Sequence, residues 1–181
     1  MTDTKNKSSM TTKEMVLAAM MTALIIICSW ISVPASVPFT LQTFAVFCTV
    51  RLIGGRGGLL SILAYLLLGA VGVPVFSGMK GGAGVLFGPT GGYLLGFLLI
   101  PLIYMAAQKV FGDHMVTNIA AMLLGLLVSY ALGTAWFIHE STKAVTLHQA
   151  LKWCVIPFVI PDIIKLVLAV VLASRVKKYV R

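Results

Sequence analysis

VIPFVIPDIIKLVLAVVLA, residues 155–173, is an apolar run of nineteen residues interrupted by two charges, Asp162 and Lys165. Its length and apolarity are those of a membrane-crossing helix. Each charge at the centre of such a helix costs about 2.5–3.5 kcal/mol on insertion scales. Two unpaired charges would double that, so both must meet partners. The two lie three residues apart, on one helical face. A mutual ion pair that pins the helix to its neighbours would satisfy them; so would a ligand in a polar pocket. Pro157 and Pro161 lie just upstream. Each lacks an amide donor, which frees the carbonyls of Trp153 and Pro157 and favours a kinked helix beside a cavity.

The rest of the chain agrees with a membrane class. Its 181 residues are 59% hydrophobic and only 10% charged, with a mean hydropathy of +1.01. A soluble domain of this length cannot hide that much apolar surface. The expected fold is all-α and integral to the membrane, with six transmembrane helices. They are predicted over about 13–33, 39–53, 59–73, 91–109, 116–138 and 151–174. Residues 1–12 read as a polar tail, 13–174 as the six-helix domain and 175–181 as a second tail. Pro34 and Pro38 enforce an extended loop, GGRGG at 54–58 a tight turn, and Pro101 a kink. Residues 139–150 form a polar loop with room for a short surface helix.

Six spans put both termini on one side. That side would hold Lys5, Lys7, Lys13, Arg51, Arg56, Lys109, Arg175, Lys177, Lys178 and Arg181, against Lys80, Lys143 and Lys152 opposite. The excess of cations marks the cytoplasmic face, so both termini are expected in the cytoplasm. Trp30, Trp136 and Trp153 then fall near the outer helix ends, where an aromatic belt would put them.

On the outer side lies SGMKGGAGVLFGPTGGY, residues 77–93, with seven glycines in seventeen residues. Glycine permits positive φ and close backbone approach. The segment is either a flexible connector or a loop folded back as a lid or pocket wall. Its length and its apolar members, with Val75 and Phe76 just before it, favour the second. It is not a phosphate loop: no GxxxxGK[ST] occurs in the chain, and the segment follows a helix instead of a strand.

Small residues recur every four positions at Ala19 and Ala23, at Gly88, Gly92 and Gly96, and at Ala121, Gly125, Ser129 and Gly133. Such ridges let helices approach closely. The last two suit internal packing; Ala19 and Ala23 are equally suited to a partner protein. Gln42 and Tyr93 are polar groups near the expected outer mouth. The three cysteines lie in apolar segments without CxxC spacing, and the three histidines without metal spacing. The net charge of +9 is spread between apolar runs and is no nucleic-acid footprint.

The stretches RLIGGRGGLLSILAYLLLGAVGVPVFSGMKGGAGVLFGPTGGYLLGF (51–97) and PFVIPDIIKLVLA (157–169) resemble the BioY family, the biotin-binding S-components of energy-coupling factor (ECF) vitamin transporters. Ala19-xxx-Ala23 is similar to the small-residue motif of helix 1 in such subunits. The resemblance implies a six-helix protein of the bacterial plasma membrane that captures biotin at its outer side. It implies no cofactor and no enzymatic activity. Its partners would be a transmembrane scaffold subunit, docking on Ala19 and Ala23, and two cytoplasmic ATPases. On this reading Asp162 accepts from a ureido N–H of biotin, and Lys165 balances Asp162 and donates to a ligand oxygen. Gln42 and Tyr93 add hydrogen bonds, the glycine loop at Gly82 approaches through its backbone, and Phe76 and Trp30 contribute apolar wall. The alternatives are an S-component for another vitamin, a self-sufficient secondary transporter, and an intramembrane enzyme. The last would need a nucleophile–base pair or metal ligands at membrane depth, where only Asp162 and Lys165 ionise.

Overall fold

The computed structural model describes residues 11–34, 37–141 and 145–180. The expected N-terminal tail lies, up to residue 10, outside them. The fold is helical, with one two-residue β-ladder among the described residues.

Helix α1, Thr12–Trp30, opens on a capping box. The Glu14 amide donates to Thr11 Oγ1 at 3.3 Å, and the Thr11 amide donates to Glu14 Oε2 at 2.8 Å. The helix stops three residues before the expected Val33. Pro34 pushes Val33 into extended backbone. Ser32–Val33 (β1) then pairs antiparallel with Phe39–Thr40 (β2). For the same reason the next helix starts at Gln42 and not at residue 39.

Helix α2, Gln42–Ala70, is broken at Gly54, whose φ of 79° and ψ of 173° are not helical. A Cβ on Gly58 would lie 3.3 Å from the Cα of Val50. Residues eight apart in a continuous helix are separated by about 12 Å. The chain therefore folds back at Gly54, and 42–53 and 55–70 are two arms of a helical hairpin. The expected break at GGRGG is real, but one glycine makes the turn and the next already packs on Pro101 and Met105.

The glycine-rich loop carries a turn bridged from Phe76 to Lys80 and the short helix α3, Ala83–Leu86. Helices α4, Gly91–Gly96, and α5, Leu99–Phe111, are offset at residues 97–98. Pro101 has no amide proton to give the Phe97 carbonyl, which instead accepts from Ile100 at 3.3 Å. The expected kink thus falls one turn before the proline. Helix α6, Met115–Glu140, packs on α4 and α5 through the two glycine ridges. A Cβ on Gly92 would meet Trp136, one on Gly96 would meet Ser129, and one on Gly125 would meet Ile100.

The expected helix over 151–174 is instead two. Helix α7, Leu147–Cys154, is capped by Thr146 and Gln149, and α8 runs Ile156–Val180. The chain turns at Val155, directly before the proline pair. Among the described residues, five helical runs are long and apolar enough to cross a bilayer: Thr12–Trp30, Gln42–Ala70, Gly91–Phe111, Met115–Glu140 and Leu147–Val176. The core runs through their centre, from Ile25 and Phe47 to Tyr65, Ile100, Met122 and Ala169.

Candidate functional site

The glycine-rich loop roofs a cavity of about 420 Å³. Thr40, the last residue of β2, and Gln42, the first of α2, both line it. Phe76, Val85, Tyr93, Leu94 and Phe97 form the walls, with Gly84 and Gly88 presenting backbone. Lys80 stands at the rim.

Several contacts hold the roof. The indole of Trp30 donates to the Pro74 carbonyl at 2.9 Å, and that of Trp136 to the Gly88 carbonyl at 3.0 Å. Ser29 Oγ donates to the Val75 carbonyl. The Gly82 amide donates to Gly69 O at 2.7 Å. The Phe76 ring lies over Gly69, where a Cβ would be 1.9 Å from it, and meets Tyr65 edge-on. The loop is thus a built wall, not a slack connector. Gly82, at φ 100°, serves that wall and does not line the cavity.

Gln42 is 3% exposed, and its Nε2 has no protein partner among the described residues. Neither has the hydroxyl of Tyr65, which lies beside Gln42 and Ser29. Leaving a buried donor unmatched costs about 1–3 kcal/mol. Tyr93 is fixed from both sides: its hydroxyl shares a 3.0 Å hydrogen bond with Thr134 Oγ1, and its ring lies on Gly133.

A second cavity of about 50 Å³ adjoins the first and shares Val37, Pro38, Thr40, Tyr93 and Phe97 with it. Asp162 and Lys165 border this smaller space. They are 2% and 6% exposed and pair at 2.8 Å. Lys165 Nζ also donates to Thr40 O at 2.6 Å and Thr43 Oγ1 at 3.3 Å, and sits 4.1 Å from the Phe39 ring centre. All three ammonium protons are thereby used. Asp162 Oδ1 accepts further from Thr43 Oγ1 at 3.0 Å, and Oδ2 accepts from Tyr130 at 2.5 Å. The charges are satisfied within the protein and join α8 to α2 and α6. A carboxylate has about four lone-pair sites, so Asp162 keeps one toward the small cavity.

Of the expected site residues, Gln42, Phe76 and Tyr93 meet on the larger cavity, and Asp162 and Lys165 on the adjoining one. Trp30 does not line either: its ring is exposed and its indole is spent on Pro74. Ala19 and Ala23 are exposed on α1, and Ala19 borders a shallow groove shared with Leu60 and Ala64. The three cysteines are buried free thiols. Sequence reasoning missed Thr43, Tyr130 and Lys80 as site residues. For the first two a signal was present: each is a hydroxyl inside an apolar helix, where it needs a partner.

Fold and site together define a helical membrane protein built around a cavity for a small solute. Comparison with known proteins narrows this. The chain belongs to the BioY family, whose model matches residues 3–181. Biotin transporter BioY of Thermotoga maritima is 42% identical over 171 residues, covering 92% of this chain and 96% of that protein. Biotin transporter BioY2 of Lactococcus lactis is 36% identical over 156 residues, covering 86% and 85%. The crystal structure of the S-component for biotin from an ECF-type ABC transporter is similar, with a TM-score of 0.82 and 30% identity. It covers 94% of this chain and 95% of its own.

Proposed function

We propose that this chain is the biotin-capture subunit of an ATP-dependent ECF-type vitamin transporter, a binding subunit and not an enzyme. The observation that carries the reading is Gln42: a buried amide with an unmatched donor in the wall of a cavity of small-molecule size. Biotin offers a ureido carbonyl that Gln42 can bind and an apolar thioether ring that suits Phe76, Val85 and Phe97. Asp162, through its remaining lone pair, accepts a ureido N–H across the small inner cavity. Lys165 orients Asp162 through their 2.8 Å pair. Tyr93 and the backbone of Gly84 and Gly88 complete the surround.

We infer six spans. The hairpin at Gly54 splits Gln42–Ala70 into two crossings, and the cation excess argues for both termini in the cytoplasm. Residues 1–12 and 175–181 would then flank the membrane domain as cytoplasmic tails, the second as a continuation of α8. The exposed Ala19 and Ala23 suit docking of a transmembrane scaffold subunit, with two cytoplasmic ATPases supplying the energy.

Biotin binding to the purified, detergent-solubilised protein, measured by calorimetry, tests the reading. Tight binding by the wild type, weakened in Gln42→Ala and more severely in Asp162→Asn, is the expected result. No binding by well-folded wild type would refute it. A rival vitamin that competes biotin off would reassign the ligand.

A further inference from the structure

The larger cavity is chemically mixed. Its lining holds the buried Gln42 amide, the apolar Phe76, Val85, Leu94 and Phe97, and the exposed Lys80. Lys80 is the one lysine or arginine among the lining residues. No described carboxylate is bonded to it. Glu14 bonds Thr11, Asp113 bonds Gln108 and Asn118, Glu140 lies against His139, and Asp162 is held by Lys165.

The position of this lysine is built into the backbone. The Phe76 amide donates to Lys80 O at 2.9 Å and closes the turn. Gly78 and Met79 inside it both have positive φ, of 70° and 55°. Methionine rarely adopts that conformation, so the turn is held by its surroundings. Phe76, the other end of the bridge, is itself locked onto Gly69 and Tyr65. Lys80 is therefore fixed to the cavity wall on a rigid base.

We propose that Lys80 is the specificity-determining residue for a free carboxylate on the captured solute. This rests on the biotin reading and deepens it: the ring system enters first, toward Gln42, and the carboxylate tail stays at the rim against the Lys80 ammonium. The site then selects the free acid over esters and amides of the same vitamin. The contact is partly solvated, so its worth lies at the low end for a hydrogen bond between charged groups, about tenfold in affinity.

The test is a two-by-two comparison by calorimetry in detergent: biotin and its methyl ester, against wild type and Lys80→Met. Wild type is expected to bind biotin about tenfold tighter than the ester at low salt, with the gap narrowing as ionic strength rises. In Lys80→Met the gap closes because biotin weakens to the level of the ester, whose affinity is unchanged from wild type. That unchanged ester affinity also shows that the variant is folded. Lys80→Arg keeps the preference. If Lys80→Met still prefers biotin by the wild-type margin, the inference falls while the biotin reading stands. If well-folded wild type binds neither ligand, both fall.

Discussion

The Asp162–Lys165 pair and the Gln42 cavity lie within one shared wall, yet they are opposites. Every proton of Lys165 and all but one acceptor site of Asp162 are matched inside the protein. In the larger cavity, which shares Thr40 and Tyr93 with the one that the pair borders, Gln42 Nε2 has no partner among the described residues. A matched polar network holds helices together; an unmatched one holds a place for something else. The charges that look most functional in the sequence are therefore chiefly the keel of the fold. The neutral amide beside them is the stronger sign of a ligand.

The largest effect should come from the keel. Lys165→Met leaves the buried Asp162 without its cationic partner, and breaking such a pair costs about 3–5 kcal/mol. Thermal unfolding in detergent should show a large loss, and the double variant Asp162→Asn/Lys165→Met should recover part of it. A single variant as stable as wild type would dissolve the comparison. Next is the glycine seam that sets the cavity wall. A Cβ on Gly133 would lie 2.2 Å from the Tyr93 ring. Gly133→Ala should cost about 1–3 kcal/mol and displace Tyr93. Biotin affinity is expected to fall along with the melting temperature.

Gln42→Leu should separate the two regions. Removing an unmatched buried amide is expected to leave the unliganded protein as stable as before, or more so. Biotin affinity should drop about tenfold for a lost neutral hydrogen bond. Lower stability with unchanged affinity would move Gln42 to the keel. The smallest effect should belong to the roof. Trp136→Phe removes the bond to the Gly88 carbonyl, worth about 1 kcal/mol. A several-fold faster release of biotin, read by stopped-flow, is expected with little change in melting temperature.

Much of this was legible beforehand. Apolar run length marked the helices, GGRGG marked the reversal at Gly54, and the glycine ridges marked internal packing, though which ridge meets which came from the structure. The misplaced boundaries have local causes. Pro34 acts on the residue before it and ends α1 early. Pro101 acts on the carbonyl four residues back and moves the kink. The proline pair near 157 splits one expected helix into α7 and α8. Trp30, which the resemblance puts in the pocket wall, instead donates its indole to the Pro74 carbonyl.

What the sequence determined alone is what short-range chemistry determines. It set a membrane solvent, the helix and turn positions, and the demand that Asp162 and Lys165 find partners. Which partners they find was decided only by the tertiary structure. Thr43 lies 119 residues from Asp162 and Thr40 lies 125 from Lys165. Whether a buried polar group is matched depends on such distant neighbours, and no local pattern encodes the match. The same holds for Lys80: its charge is written in the chain, but its place at the rim comes from a turn closed on Phe76 and braced by Gly69.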